Sequence, residues 1–258
     1  MKMRLFCTAV LTSVFCFSLQ FGAFAQENPE TDPKFDWPKD ESVIPGQGHL
    51  RNSDWFKGHY KNRRIGFAKN AAEKQNAIVF LGDSITEGWD HRLEKDFPEF
   101  KVVSRGISGD VTRTVLYRLK EDVMDLNPRA VVLLIGTNDL DEKNTPEQIA
   151  ANTIEILEKL KAFNPDLPVL YCKIMPRSQF PDHRTSLIII TNKIVSDYIE
   201  KANNPHWYIV DTWSIYATDK GVVAKETMND FLHPVSAAYE KWRDLVKPIL
   251  LKLQLQEK

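Results

Sequence analysis

The chain has 258 residues, 43% of them hydrophobic and 27% charged, with a formal net charge of −1. That length supplies core enough for one sizeable domain, and that composition excludes a disordered polymer. The near-neutral balance argues against a protein that tracks the phosphates of nucleic acid.

The first 25 residues read as an export signal. Lys2 and Arg4 precede a largely apolar run from Leu5 to Phe17, and Ala23-Phe24-Ala25 fits a small-x-small cleavage site with Gln26 as the new N-terminus. A membrane anchor is the competing reading, but the run is short for a bilayer span. The expectation is a secreted or periplasmic protein with no stable membrane insertion after signal removal. Cleavage removes Cys7 and Cys16 and leaves only Cys172, so no internal disulfide is available in an oxidising destination. Cys172 lies in the apolar run 169–172 and reads as a small buried hydrophobe.

Residues 26–50 are rich in Pro, Asp, Glu and Lys and have little apolar periodicity. They predict a flexible N-terminal segment ahead of one domain over 51–258. The pattern turns helical over 54–74, with Phe56, Tyr60, Ile65 and Phe67 as its buried stripe. Strand-like runs at 77–81, 101–104, 130–135, 169–174 and 208–210 then alternate with helical patterns at 87–95, 111–124, 146–163, 186–202 and 234–253. The continuous apolar run 130–135 suits a strand covered on both faces. Thr145-Pro146-Glu147-Gln148 is a helix start, with Thr as N-cap, Pro in the first turn and Gln reaching back. Leu187, Ile190, Ile194 and Tyr198 form a stripe that reads as core. Pro248 predicts a kink or an earlier end to the last helix. The alternation predicts an α/β protein, a three-layer α/β/α sandwich around a mainly parallel five-stranded sheet.

In such sheets chemistry collects where strands end. Four loops stand out: Gly82-Asp83-Ser84-Ile85-Thr86, Arg105-Gly106-Ile107-Ser108-Gly109-Asp110, Gly136-Thr137-Asn138-Asp139, and Asp230-Phe231-Leu232-His233-Pro234. Each has a plain use when taken alone. Ser84 suits a helix N-cap, Asn138 and Asp139 suit a turn, and Asp230 with His233-Pro234 suits a helix entry. Taken together they supply the parts of a nucleophilic hydrolase. Ser84 would attack an acyl carbon, His233 would carry its proton, and Asp230 would hold the imidazole. The N–H groups of Ser84 and Gly109 and the amide of Asn138 would meet the oxyanion, and glycine at 109 would keep a side chain out of the substrate's way. Asp83, Asp110 with Arg113, and Asp139 read as braces of these loops. His49, His59, His91, His183 and His206 show no metal-ligand spacing, so no metal and no cofactor is expected.

On these four blocks the chain resembles the SGNH hydrolases, also called GDSL-type esterases and lipases. That family is defined by blocks carrying Ser, Gly, Asn and His, with an Asp three residues before the His. The resemblance covers 77–234 and implies a flavodoxin-like fold. It also implies a Ser84–His233–Asp230 triad and an oxyanion hole of Ser84, Gly109 and Asn138. Gly109 takes the second-block role rather than Gly106, because Ser108-Gly109-Asp110 matches that block. Gly-Asp-Ser-Ile-Thr-Glu-Gly-Trp and Gly-Ile-Ser-Gly-Asp-x-Thr-Arg look most like the platelet-activating-factor acetylhydrolase catalytic-subunit branch, which implies short acyl groups. The third- and fourth-strand loops, with Arg177-Ser178-Gln179-Phe180, should wall the pocket, and no extended apolar lid region is visible. The expected function is a secreted carboxylic ester hydrolase acting on small-molecule or glycan esters, above all acetyl groups on carbohydrates. A lysophospholipase or other lipid-ester hydrolase is the alternative, and a non-catalytic glycan-binding relative is a third reading. Nucleic acid is not an expected partner, and the oligomeric state is not legible.

Overall fold

The structure is a computed structural model and describes residues 29–178 and 182–256. The proposed export signal, Cys7, Cys16, Gln179 and Phe180 lie outside the described residues.

The strands are β1 (Ile78–Gly82), β2 (Val102–Gly106), β3 (Ala130–Leu134), β4 (Val169–Cys172) and β5 (Trp207–Val210), all parallel in the order β2-β1-β3-β4-β5. Both faces of the sheet are covered, which is why the strand sequences are nearly continuous apolar runs. Phe80, Val132, Leu134, Leu170 and Cys172 share one core with Trp89 and with Trp242 of α7 (Ser236–Lys252). Val79, Leu81, Val131, Leu133 and Tyr171 share the other with α4 (Thr112–Asp122), α5 (Pro146–Phe163) and α6 (His183–Ala202). This is the expected three-layer sandwich. Cys172 is fully buried beside the Trp242 indole, 3.3 Å from its N–H, and burial pushes its thiol up to about 12.

Two features of the sheet position the functional loops. Gly82 at the end of β1 is level with Gly106 of β2 and Leu134 of β3, so the loops that follow these strands emerge side by side. The chain leaves β1 toward β2 on one side and reaches β3 on the other, which makes the end of β1 a topological switch point. The fully buried Arg118 of α4 fixes these strand ends. Its guanidinium donates to the carbonyls of Gly82 (3.2 Å) and Arg105 (2.8 Å) and pairs with Asp110 at 2.7 Å and Asp122 at 3.5 Å.

Several elements depart from expectation. α1 (Asp54–Lys69) stops short of residue 74. Its buried face runs through Phe56, Tyr60, Arg64 and Phe67, with Ile65 only half-buried. Arg64 holds the core-side position because its guanidinium lies over the rings of Phe35 and Tyr60, 5.4 Å from each, and pairs with Asp122 at 3.1 Å. The single helix expected at 87–95 is two short ones, α2 (Ser84–Glu87) and α3 (Leu93–Asp96). The chain breaks at Gly88, where a Cβ would fall 2.6 Å from the Tyr239 hydroxyl, and Trp89 turns into the core with its indole N–H on Asp96 at 2.7 Å.

On α6, Ile190 is 44% exposed, and the buried face runs through Ile188, Thr191, Asn192, Val195 and Ile199. Asn192 sets that phase by bonding the backbone N–H and carbonyl of Ile174, at 2.7 and 2.9 Å. α7 continues through Pro248 to Lys252. The carbonyl that Pro248 leaves without its helical donor belongs to Asp244, and both residues are exposed, so the interruption falls on the solvent side of the helix. The segment expected to be flexible is, over residues 29–50, laid against the body. Phe35 and Ile44 are buried, Arg113 donates to the carbonyls of Pro45 (3.0 Å) and Gly48 (2.8 Å), and the N–H groups of Gln47 and His49 reach Asn152 and Asn144. Polar side chains from the domain satisfy the backbone of this segment, which composition does not reveal.

Replacing Arg118 by Leu leaves Asp110 buried without its countercharge. The expected loss is about 3–5 kcal/mol of unfolding free energy, read from urea denaturation, and Asp110→Asn in the same background should recover part of it.

Candidate active site

β1 ends in Gly82, where a Cβ would lie 2.3 Å from both the Leu134 carbonyl and the Thr86 hydroxyl, so only glycine permits the turn into α2. The cap of that helix is Asp83, whose carboxylate accepts the Ile85 N–H at 2.9 Å. Ser84 is thereby spared capping, and its hydroxyl at the carboxyl edge of the sheet is left for another partner.

His233 comes from the loop before α7. Its Nε2 is 2.8 Å from Ser84 Oγ and its Nδ1 is 2.6 Å from Asp230 Oδ2. Asp230 Oδ1 also accepts the N–H groups of Leu232 (3.0 Å) and His233 (2.8 Å). Burial pushes the Asp230 carboxyl up, but these bonds outweigh it and hold the group below its ordinary value. An ionised carboxylate only accepts, so Nδ1 carries the ring proton. In the neutral ring Nε2 is bare and accepts the Ser84 O–H. The hydrogen-bonded line runs unbroken from Ser84 to Asp230.

Gly109 adopts φ +87, and a Cβ there would meet Phe56 at 3.0 Å and Arg51 at 3.3 Å. The glycine is therefore required by backbone conformation and by packing against α1, not only by room for a substrate. At Gly106 a Cβ would fall 2.2 Å from the Glu87 nitrogen, so that glycine serves the contact with α2. Asn138 is 4% exposed; its Nδ2 donates one proton to the Asp110 carbonyl at 2.9 Å and keeps the other. The structure thus brings Ser84, His233 and Asp230 into one hydrogen-bonded line, and it sets Gly109 and Asn138 on the loops that leave the neighbouring strands.

The braces differ in detail from the sequence reading. Asp110 pairs with Arg118 and the Thr114 hydroxyl, whereas Arg113 serves the 44–48 backbone. Asp139 accepts the Thr112 N–H (3.0 Å) and hydroxyl (2.6 Å), which ties the third loop to the start of α4. Arg177 donates to the Thr137 carbonyl at 3.0 Å, and the Ser178 N–H reaches the Phe231 carbonyl at 3.0 Å, so the fourth-strand loop joins the Asn138 and His233 loops.

Sequence reading missed Arg51, His59 and Glu87. Arg51 bonds Glu142 at 2.7 Å and lies 3.5 Å from Asn138 Oδ1. Glu87 Oε2 accepts the Ser108 N–H at 2.6 Å and sits 2.9 Å from His59 Nε2. Only Glu87 carried a signal, because it falls within the serine block. Among the described residues no group of three or more His, Cys, Asp or Glu is placed to hold a metal ion, and no helix is long and apolar enough to cross a membrane.

Asp83, Asp110 and Asp139 are fully buried beneath the loops. Burial, followed by the neighbouring carboxylates, raises Asp83 to about 7, and burial raises Asp139 to about 6. Asp83 Oδ2 has no hydrogen-bond partner. A carboxyl whose folded value lies above its unfolded one binds more protons when folded, so its contribution to stability falls as pH rises from about 4 to about 7. Asp83→Asn removes that titration and leaves an acceptor for Ile85. Thermal melts across pH 4–8 should show a flatter decline for the variant than for the parent; identical slopes would overturn the assignment.

The model of the GDSL-like lipase/acylhydrolase family matches residues 80–241. Among curated relatives, the human platelet-activating factor acetylhydrolase IB subunit alpha2 is 26% identical over 198 residues, 76% of this chain and 81% of that protein. The human subunit alpha1 is 25% identical over 236 residues, 90% of this chain and 94% of that protein. A GDSL-like lipase from Bacteroides thetaiotaomicron superposes with a TM-score of 0.60 at 26% identity, covering 74% of this chain and 98% of that one. An acetyl xylan esterase superposes with a TM-score of 0.57 at 17% identity, covering 67% and 98%, and at that identity it speaks for the fold alone.

Proposed function

The chain belongs to the GDSL-like lipase/acylhydrolase family and is an ester-hydrolysing enzyme; from that premise we propose that it is an exported serine esterase that removes short acyl groups, above all acetyl groups from carbohydrates. The observation that carries the mechanism is the hydrogen-bonded line from Ser84 Oγ through His233 to Asp230, at 2.8 and 2.6 Å.

In this mechanism Ser84 Oγ attacks the acyl carbon while its proton passes to His233 Nε2. Asp230 stabilises the imidazolium through Nδ1–H. The carbonyl oxygen becomes an oxyanion, met by the N–H groups of Ser84 and Gly109 and by the remaining amide proton of Asn138. Collapse breaks the ester C–O bond, and the leaving oxygen takes the proton from Nε2. Water then attacks the acyl-serine by the same route in reverse, giving the free acid and restoring Ser84. Apart from the attacking water, every group in this route belongs to the chain.

Preference for short acyl groups is supported by the acetylhydrolase relatives, which are acetyl-releasing by name. The carbohydrate substrate is supported by the export signal read in residues 1–25, which would deliver the enzyme to glycan-bearing surroundings. The crowding of charged and polar side chains around the third loop, with Arg51, Arg177, Asp141 and Glu142 in contact, suits a hydroxyl-rich substrate.

Ser84→Ala is expected to abolish hydrolysis of p-nitrophenyl acetate in a protein that still melts cooperatively, and retained turnover would sink the mechanism. Asn138→Ala should lower kcat by about a hundred- to a thousandfold. Wild-type enzyme should cleave p-nitrophenyl acetate much faster than the palmitate ester, whereas better palmitate turnover would favour a lipid ester. Acetate release from acetylated polysaccharides, run beside lysophospholipids, decides the substrate class.

A further inference from the structure

We propose that Trp55 and Arg51 form the subsite for the sugar ring that bears the ester. This rests on the carbohydrate reading above and names the residues that would enforce it. Trp55 is 60% exposed, more than any other large hydrophobic side chain among the described residues. An exposed indole offers an apolar face with a polar N–H edge to a ligand.

The ring rests on a neighbour from its own helix. It stacks on His59 with centroids 5.4 Å apart and planes within 5°. His59 in turn sits 2.9 Å from Glu87 Oε2, the same oxygen that accepts the Ser108 N–H at 2.6 Å. Glu87 lies one helical turn from Ser84, and Ser108 precedes Gly109. The next residue along α1, Phe56, is buried and packs where a Cβ on Gly109 would be. The exposed indole is therefore built onto the same framework as the nucleophile and the oxyanion loop.

Arg51, four residues ahead of Trp55 in the chain, touches that loop directly. Its Nη1 is within 3.3 Å of the Gly109 Cβ position and 3.5 Å from Asn138 Oδ1, and its Nε holds Glu142 at 2.7 Å. A pyranose presents an apolar C–H face and a rim of hydroxyls. The indole face suits the first, and the Arg51–Glu142 pair offers a donor and an acceptor to the second. An alkyl chain would instead call for a continuous apolar trough, whereas Trp55 is flanked on α1 by Asp54, His59 and, two turns on, Arg63.

The test compares kcat/KM on acetylated xylo-oligosaccharides with kcat/KM on p-nitrophenyl acetate and on lysophosphatidylcholine. Trp55→Ala should lower the glycan-to-nitrophenyl ratio at least tenfold, mainly through KM, and Trp55→Phe should retain most of it. An unchanged ratio in Trp55→Ala, with wild-type glycan activity present, overturns the subsite alone. A fall confined to the lysophosphatidylcholine ratio assigns the platform to a lipid and also overturns it. Wild-type enzyme that cleaves p-nitrophenyl acetate but no acetylated oligosaccharide overturns the carbohydrate reading and this inference with it.

Discussion

The Arg118 guanidinium is the interaction on which the rest of the site depends. It is fully buried and reaches four parts of the chain at once: the Gly82 carbonyl just before the serine turn, the Arg105 carbonyl at the end of β2, Asp110 in the glycine loop, and Asp122 at the end of its own helix. A charge removed from water is tolerated only when its countercharge and its remaining N–H groups are satisfied. Here that condition is met by the strand ends that present Ser84 and Gly109. Asp122 passes the connection on to Arg64 and so to α1, whose Phe56 supports Gly109 from below.

This framework places three carboxyls, Asp83, Asp110 and Asp139, in the dry space under the loops. Asp110 has Arg118 as its countercharge. Asp83 and Asp139 have hydrogen-bond donors instead, and burial raises both. Their acceptor oxygens order the turn into α2 and the start of α4, at the expense of stability once the pH favours their ionisation. Asp230, half exposed on the far loop, is held low by three donors. The acids that shape the loops and the acid that faces the imidazole are thus separated by environment, not by residue type.

Much of the architecture was legible in local patterns. The strand runs, the Thr145–Gln148 capping box and the strand-end loops appear where the sequence places them. Departures occur where a polar group takes an apolar position. Arg64 replaces Ile65 on the α1 face because two aromatic rings and Asp122 receive it. Asn192 sets the phase of α6 and leaves Ile190 outside. Hydrophobic periodicity cannot register such cases, since it counts apolar residues and is blind to long-range hydrogen bonds. Residues 29–50 escaped for the same reason: their backbone is bonded by Arg113, Asn144 and Asn152, far away in the chain.

The sequence by itself determined the residue types and their order: a serine after a glycine-ended strand, a glycine loop, an asparagine loop and an Asp-x-x-His before the last helix. Those are local facts, set by strand periodicity and turn chemistry. The tertiary structure alone decided that Ser84 is relieved of capping by Asp83, that Asp110 finds Arg118 rather than Arg113, and that Arg51 reaches Asn138 while Trp55 stacks on His59. These outcomes depend on which distant groups burial brings within a few ångströms, and no single stretch of the chain contains that information.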